Sequence, residues 1–437
     1  MVPQPDRFGF LHIDLNSFFA SVEQQLHPEY RGRPLAVVPT MADTTCCIAA
    51  SYEAKALGIK TGTQVGKAKE IFPDIILIAG DHADYADYSH RIAKAVELAC
   101  PVSHTPSIDE MVCQLMGREQ EPPRARKIAL EIKQSIYKNV GEALRCSIGM
   151  APNRYLAKIA SDMQKPDGLI GLLPSQLPRA IAHLELRDLP GVGARTEVRL
   201  NAKGITTMEQ LLALDRTGMH KLWDSVWGDR LYHWLRGAES GDDGAPAALD
   251  VQKTLGHSHV LGPEYRSQEG AWAVAHKLLH KASMRLRMEH FYTGSLAVTI
   301  RFALTKEQAA RTKAKQHFSG LKHSGWAMEA RFRDCQDTLT LLEVLRGIWA
   351  QRPRGEDFQK PFFVGVTLRN LIPESEYQAE LFADEGNRAG LSATMDKLNL
   401  KYGHTTLHFA GMLPARESAP TRIAFTQIPV QYGVDYM

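Results

Sequence analysis

The sequence predicts an α+β chain of several domains, and three observations support this fold class. Strand-like and helix-like segments alternate over roughly the first 170 residues, and the stretch from about 171 to 241 has a helical pattern. Three later segments alternate apolar and polar residues with the period of two that is typical of strands. The length of 437 residues suits two to four domains of about 100–150 residues each.

The first region has the element order of a ferredoxin-like sheet. The strand-like segments FGFLHID and ALRCSIGM lie at its ends, and two amphipathic helices, DHADYADYSHRIAKAVELAC and RKIALEIKQSIY, lie between them. The short apolar segment SIDEMVCQL, from Ser107 to Leu115, separates the helices. We expect the order strand, helix, strand, strand, helix, strand, with the helices on one face of the sheet and the other face open for a ligand.

Three carboxylates are expected to meet in this sheet. Asp14 ends the first strand, and Asp109 and Glu110 begin the segment that forms the third strand. The first and third strands of a ferredoxin-like sheet are neighbours. Oxygen ligands suit Mg²⁺, and two such ions about 3.5–4 Å apart activate an attacking hydroxyl and stabilise a leaving pyrophosphate. Acidic residues at strand ends are also ordinary turn and cap residues, and this alternative stays open.

The helical region contains a motif for gripping a phosphate backbone. In LPGVGARTEVRLNAKGITTMEQLLAL, Gly191 and Gly193 allow a tight turn that exposes backbone N–H groups at a helix start. A second helix follows from about Thr206, which is typical of a helix-hairpin-helix that binds DNA without reading its sequence. The polar link GAESGDDGAPAALD then marks a domain boundary.

The region after this boundary is basic, and its arginines recur with the period of a β-strand. The whole chain has a net charge of +3, but residues 252–372 carry 19 Lys and Arg against 10 Asp and Glu. The strands SLAVTIRFA, WAMEARFRD and FVGVTLRN bury one face, which helices near Gln268–His290 and Thr338–Ala350 would cover. Because the arginines follow the strand period, we expect DNA-backbone binding, the alternative being an ordinary solvated face. The arginines are Arg301, Arg331, Arg333 and Arg369.

Bulk features favour the cytoplasm. The first residues contain no basic segment that leads into an apolar run, and no apolar stretch approaches the length of about 18 residues that spans a membrane. The six cysteines form no CxxC pair, which favours reduced, structural thiols. We expect a cytoplasmic, nucleoid-associated protein with no membrane partner.

Five motifs, taken in order, resemble those of the Y family of translesion DNA polymerases. They are HIDLNSFFASVE, SYEAKALGIKTG, SIDEM, SIGMAPNRYLAKIASDMQKPDGL and LPGVG, and the resemblance runs from about Phe8 to the late 370s. It implies a low-fidelity, template-directed DNA polymerase that tolerates damaged templates. The implied domains are a palm (1–19 and 81–170), small fingers (20–80), a helix-hairpin-helix thumb (171–240), a linker (241–255), an α/β little finger (256–372) and a C-terminal tail (373–437).

The same resemblance implies roles for single residues. Asp14, Asp109 and Glu110 match the ligands of two Mg²⁺ ions, with the backbone carbonyl of Leu15 adding an oxygen. Phe19 matches the steric gate that excludes ribonucleotides; Phe18 stands beside it in the nucleotide-binding segment and fits a core aromatic better. The positions that match triphosphate-binding residues are Tyr52, Lys55 and Lys165.

Two departures leave the subtype open. Many relatives have Asp where this chain has Asn16, and Arg where it has Lys55. An ammonium offers a point charge instead of a bidentate fork. These choices resemble the catalytic subunit of DNA polymerase V, whereas the general layout resembles DNA polymerase IV.

Asp109 and Glu110 are adjacent in sequence, which restricts how both can reach one metal site. Adjacent strand residues point to opposite faces, so Asp109 and Glu110 share a site only if the backbone departs from regular pleating near residues 108–110, or if the longer Glu110 side chain curls around the strand end. We expect Asp109 to bridge the two ions and Glu110 to serve mainly the ion that activates the primer hydroxyl.

The expected partners are primer-template DNA, a deoxynucleoside triphosphate and a sliding clamp, with the chain acting as a monomer. YQAELFADE resembles a clamp-binding peptide, in which Leu381 and Phe382 fill an apolar pocket and Gln378 makes polar contacts. One alternative function is a repair scaffold that binds DNA and clamp without catalysis. A nucleotide cyclase on a similar palm would explain the acids but not the hairpin or the arginines.

Overall fold

The structure, a computed structural model, describes most of the chain in two compact units. The described residues are 5–39, 41–43, 45–238, 254–311, 315–316, 322–355, 358–378, 386–403, 406–416 and 418. One unit contains the described residues before 239, and the other contains those from 254 onward.

The first unit alternates strands and helices and then becomes helical, as the sequence predicts. Its elements are β1 (Phe10–Leu15), α1 (Phe18–Leu26), β2 (Leu35–Val38), β3 (Ala49–Ala50), α2 (Tyr52–Ala56), α3 (Val65–Ile71), β4 (Ile76–Ala79), α4 (His82–Glu97), β5 (His104–Ser107), β6 (Glu110–Gln114), α5 (Pro122–Asn139), β7 (Cys146–Ala151), α6 (Arg154–Met163), β8 (Leu169–Gly171), α7 (Ala194–Ala202), α8 (Met208–Leu212), α9 (Arg216–Trp223) and α10 (Val226–Trp234).

The main sheet of this unit confirms the predicted strand neighbours. Its order is β5-β6-β1-β7-β8, and β1 runs antiparallel to both β6 and β7. Leu11, Ile13 and Leu15 face a core that includes the apolar stripes of α4 and α5. The ferredoxin-like order therefore places the first strand beside the third.

The second face of the sheet is covered in part, which corrects the expectation of a fully open face. Phe10 and Val112 lie in one apolar cluster with Leu156 and Ala160 of α6. The helix seats closely because Gly149 has no side chain: a Cβ there would lie 2.0 Å from the carbonyl oxygen of Ala157. The even-numbered residues of β1 therefore face α6.

A small sheet forms the predicted fingers region. Its order is β3-β2-β4, and it encloses a separate core with α2 and α3. In the segment CCIAAS, only Ala49–Ala50 forms a strand, and Cys46 makes an isolated bridge to Gln64.

The helical region contains the predicted hairpin. Gly191 has φ +86°, in the left-handed region that favours glycine, and Gly193 caps α7. Thr207 caps α8, accepting a hydrogen bond from the Gln210 N–H at 3.3 Å. Leu200 packs in the core shared with α6. The predicted second helix thus begins two residues after Thr206.

The second unit is a sheet with helices on one face. Its elements are β9 (Thr254–Val260), α11 (Gln268–Met288), β10 (Phe291–Ala303), α12 (Lys306–Arg311), β11 (Lys315–Gln316), β12 (Lys322–Cys335), α13 (Thr338–Ala350), β13 (Pro361–Pro373) and α14 (Gly386–Tyr402). The strand order is β11-β12-β10-β13-β9. Apolar residues of β10 and β13 pack against α11 and α13, which confirms both predicted helices.

The described residues after 373 belong to the second unit. Asp396 of α14 accepts two hydrogen bonds from the Arg287 guanidinium, at 2.6 and 2.9 Å, and both side chains are nearly buried. Lys277 donates hydrogen bonds to the carbonyl oxygens of Arg416 and Ser418. The described part of the predicted C-terminal tail (373–437) therefore packs on α11.

No helix in the described parts of the chain combines the length and the apolar character needed to cross a membrane.

Candidate active site

The acidic pair lies at a tight hairpin between β5 and β6. Ser107 pairs with Glu110, and Ile108 and Asp109 form the two-residue turn between them. The turn is held by the Ser107 hydroxyl, which donates to Asp109 Oδ1 at 2.6 Å, and by the Leu15 N–H, which donates to the Asp109 carbonyl at 2.9 Å. The expected departure from regular pleating is this turn, so the strand begins at Glu110 and not at Ser107.

The pairing of β1 with β6 brings Asp14 opposite Glu110. Both carboxylates are largely buried, and His12, two residues before Asp14, lies on the same face of β1. One donor atom from each of these three side chains lies within 4.8 Å of the others, and His12 Nε2 is 3.8 Å from Glu110 Oε1. Sequence reasoning missed His12, although the alternation in HID would have found it.

Asp109 lies beside this group but outside that 4.8 Å set. Burial raises the pKa of the Asp109 carboxyl, and the charges of Asp14 and Glu110 raise it further, whereas the hydrogen bond from Ser107 lowers it. The three predicted acids thus influence one another electrostatically.

Two lysines supply positive charge next to these acids. Lys158 of α6 places its Nζ 2.7 Å from Asp14 Oδ2 and 2.6 Å from Glu110 Oε1. Lys165, in the loop after α6, places its Nζ 2.6 Å from Asp14 Oδ1. Both lysines also reach Asp162, at 3.2 Å for Lys158 and 2.7 Å for Lys165. Lys158 and Asp162 were missed by the sequence analysis.

The charges of this cluster shift its pKa values. Burial alone would raise the pKa of Glu110, but His12 and Lys158 outweigh it and lower that pKa well below its usual range. Burial alone would lower the pKa of Lys158, but Asp14 and Glu110 raise it. Glu110 and Lys158 are therefore held in their charged forms.

The predicted triphosphate-binding residues lie close to Asp14. Ser51 caps α2, which carries Tyr52 and Lys55. Lys55 Nζ lies 4.4 Å from the centre of the Tyr52 ring. Burial lowers the pKa of Lys55, and the nearby charge of Lys165 lowers it further. Three of the predicted nucleotide contacts, Tyr52, Lys55 and Lys165, thus share one neighbourhood.

Asn16, one of the two departures, ties the Lys165 loop to β1. Its amide donates to the Ser147 hydroxyl at 3.1 Å, and its carbonyl oxygen accepts from the Asp167 N–H at 2.7 Å. An Asp at this position would lack the amide donor.

The predicted steric gate, Phe19, is packed against a tyrosine. Its ring stacks on Tyr85 with centroids 4.3 Å apart, and the Tyr85 hydroxyl donates to Glu23 Oε1 at 2.5 Å. Tyr85 lies on α4, one of the two amphipathic helices that the sequence predicts. Phe18 and Phe19 are 3% and 7% exposed and both lie in the main core, so burial does not distinguish the predicted gate from the predicted core aromatic.

The second unit has an arginine-bearing sheet face. Arg331 and Arg369 flank Ser295 from the two neighbouring strands, and both are exposed. Glu329, exposed on the same face, accepts a hydrogen bond from Arg369 at 2.7 Å. Arg301 lies over the ring of Phe363. The other predicted residue of this face is the exposed Arg333.

The start of the predicted clamp peptide is anchored in the second unit. Tyr377 stacks on Tyr292 with centroids 3.6 Å apart, and Gln378 follows it as an exposed residue. Leu381 and Phe382 lie outside the described residues.

The donor set suits a hard divalent cation, since it consists of carboxylate oxygens with one imidazole nitrogen. Among the described residues, Asp14 and Glu110 with His12 offer such donors, and Asp109 lies beside them in the adjoining turn.

Comparisons with known proteins agree with this geometry. The model described as the impB/mucB/samB family matches residues 13–162, and the model of that family's C-terminal domain matches residues 252–381. A DNA polymerase IV from Moorella thermoacetica is 30% identical over 92% of this chain and 95% of its own length. DNA polymerase IV 1 from Bacillus subtilis is 28% identical over 98% of both chains.

Solved structures share the fold. A Y-family DNA polymerase chimera of Dbh and Dpo4 matches with a TM-score of 0.65 and 23% identity, over 83% of this chain and 99% of its own. A structure titled as an insertion ternary complex of Dbh DNA polymerase matches with a TM-score of 0.54 at the same identity and coverage. The relatives named here are DNA polymerases IV, which decides between the two subtypes left open above. The chain therefore belongs to the Y family of translesion DNA polymerases, within its DNA polymerase IV group.

Proposed function

We propose that this polymerase extends a DNA primer with two Mg²⁺ ions held by Asp14, Asp109 and Glu110, with the Leu15 carbonyl as a further ligand. The observation that carries the proposal is the pairing of Asp14 with Glu110 across β1 and β6, with Asp109 in the adjoining turn. When bound, such ions lower the pKa of the attacking primer hydroxyl and stabilise charge on the leaving pyrophosphate.

The side chains around the acids bind the incoming nucleotide. Lys55, Lys165 and the Tyr52 hydroxyl hold the β- and γ-phosphates and offset the charge that develops there. Because lysine offers a point charge, this grip fixes phosphate orientation less than an arginine fork would. Phe19, backed by the Tyr85 ring, lies under the sugar and excludes a 2′-hydroxyl by contact.

The DNA is held by two surfaces that do not read its sequence. The N–H groups at the start of α7, next to Gly191 and Gly193, bind one backbone phosphate. Arg301, Arg331, Arg333 and Arg369 bind further phosphates. The solved Dbh structure titled as an insertion ternary complex supports binding of DNA and nucleotide by this fold. The polymerase acts as a monomer in the cytoplasm, on the chromosome, and docks on a sliding clamp through residues 378–382.

Asp109→Asn tests the metal-binding acids. We expect primer extension in Mg²⁺ to fall by at least about 10²-fold, equivalent to about 2.7 kcal/mol of transition-state stabilisation, with DNA binding retained. Asp43→Asn is the control, since Asp43 is an exposed carboxylate that pairs with Lys69. Undiminished extension by Asp109→Asn would remove Asp109 from the catalytic set.

Phe19→Ala tests the steric gate. The ratio of kcat/KM for deoxynucleotides over ribonucleotides should fall by at least about tenfold, or about 1.4 kcal/mol, because the side chain that meets the 2′-hydroxyl is gone. Phe18→Ala is the matched variant: it removes a core aromatic, so we expect lower stability and an unchanged ratio. Equal ratios for both variants would contradict the assignment.

Arg331→Ala and Glu329→Gln test the arginine face in opposite directions. Loss of one phosphate contact should weaken duplex binding and reduce the slope of log affinity against log salt by about 0.9. Removing the Glu329 charge should tighten binding, since it frees Arg369. Fluorescence anisotropy with primer-template DNA at several salt concentrations measures both effects. Arg388→Ala, on α14, is the control; the same loss there as in Arg331→Ala would indicate only a general charge effect.

The double substitution Leu381→Ala and Phe382→Ala tests the clamp peptide. Affinity for the sliding clamp, measured by calorimetry, should fall by at least about tenfold, because the apolar anchors of such peptides carry most of the binding energy. Glu376→Gln, just before the peptide, is the control. Clamp binding that survives the double substitution would place the interaction elsewhere on the chain.

A further inference from the structure

Lys158 occupies the oxygens that the proposed function assigns to metal ions. Its Nζ lies 2.7 Å from Asp14 Oδ2 and 2.6 Å from Glu110 Oε1, so one ammonium joins carboxylates from two strands. The Lys158 side chain is 24% exposed. Lys158 directly follows Ala157, the residue of α6 whose carbonyl oxygen lies against Gly149 of β7. Lys158 is therefore placed by the packing of its helix.

An ammonium and a divalent ion compete for the same oxygens. Both need the lone pairs of Asp14 Oδ2 and Glu110 Oε1, and two cations a few ångströms apart in a partly buried site repel strongly. If Lys158 stayed in place, the cluster would bind a divalent ion weakly.

Asp162 offers Lys158 a second position. It lies one helical turn along α6, with Oδ2 3.2 Å from Lys158 Nζ and Oδ1 2.7 Å from Lys165 Nζ. Asp162 is outside the group of donors close enough to share an ion with Asp14 and Glu110. A lysine that leaves the acids thus stays paired without leaving its helix.

We propose that Lys158 is a positioning residue that serves as a stand-in cation: it holds Asp14 and Glu110 together and moves onto Asp162 when a divalent ion binds. The inference rests on the proposed function, which makes these acids metal ligands. Metal binding at this site is then an exchange of cations rather than an addition of charge. Lys158 lowers the metal affinity of the polymerase, and Asp162 restores part of it.

The test measures Mn²⁺ binding to the full chain, without DNA or nucleotide, by electron paramagnetic resonance of the free ion. Lys158→Gln should lower the Kd for Mn²⁺ by at least about tenfold, because a competing cation is removed. Lys158→Arg keeps the charge and should keep the weaker affinity. Lys69→Gln, in an exposed pair with Asp43, removes a charge outside this cluster and should leave the Kd unchanged.

Asp162→Asn isolates the exchange. In the wild-type background it should raise the Kd several-fold, since Lys158 loses its second position. In the Lys158→Gln background it should change the Kd by less than about twofold, because Asp162 acts through Lys158. An equal effect of Asp162→Asn in both backgrounds would overturn the exchange and leave Asp162 as a simple long-range charge.

Two outcomes separate this inference from the proposed function. If Glu110→Gln abolishes Mn²⁺ binding but Lys158→Gln leaves the wild-type Kd, the metal site stands and the stand-in cation is wrong. If Glu110→Gln leaves Mn²⁺ binding intact, the metal-ligand assignment itself fails. Asp162→Asn retains the lysine, so an unchanged Kd for this single variant in the wild-type background overturns the exchange even where Lys158→Gln does not fold.

Discussion

The arrangement of the first unit around β1 depends on the balance between the buried carboxylates on one face of this strand and the lysines beside them. Carboxylates that are largely removed from water repel one another, so they persist only where positive charge is built in beside them. Here the charge comes from Lys158 and Lys165, which approach because Gly149 lets α6 lie directly on β7. Asn16 then fixes the loop that carries Lys165. The packing of α6 on the second sheet face therefore also provides the positive charge that the acids need.

The strand order of the first unit follows from sequence pattern, because alternating strands and amphipathic helices restrict the sheet to few topologies. That order alone placed Asp14 beside Glu110. The position of Lys158 beside these acids could not be predicted in the same way. The apolar stripe of α6 fits any core, and Lys158 and Asp162 look like an ordinary solvated i,i+4 pair. Their role appears only once the sheet face that α6 covers is known.

In the second unit, too, the strand pattern could be predicted from the sequence, but the contacts between strands could not. Strand period two predicted the arginine face, since each strand must bury its other side. The same period puts Glu329 on that face, but its pairing with Arg369 depends on another strand and could not be predicted from one segment. The packing of α14 was also missed, because its contacts join residues far apart in sequence, such as Arg287 with Asp396 and the Thr338 N–H with the Ser392 hydroxyl.

The two-residue turn at Ile108 and Asp109 limits how this gene can vary. Side chains in a strand alternate between faces, so a change of length that slips β6 by one residue against β1 would rotate Glu110 away from Asp14 and turn Met111 out of the core. A substitution in β6 changes one side chain, whereas a slip of the strand moves all of its side chains to the opposite face. Natural variation at this hairpin should therefore be confined to residue identity.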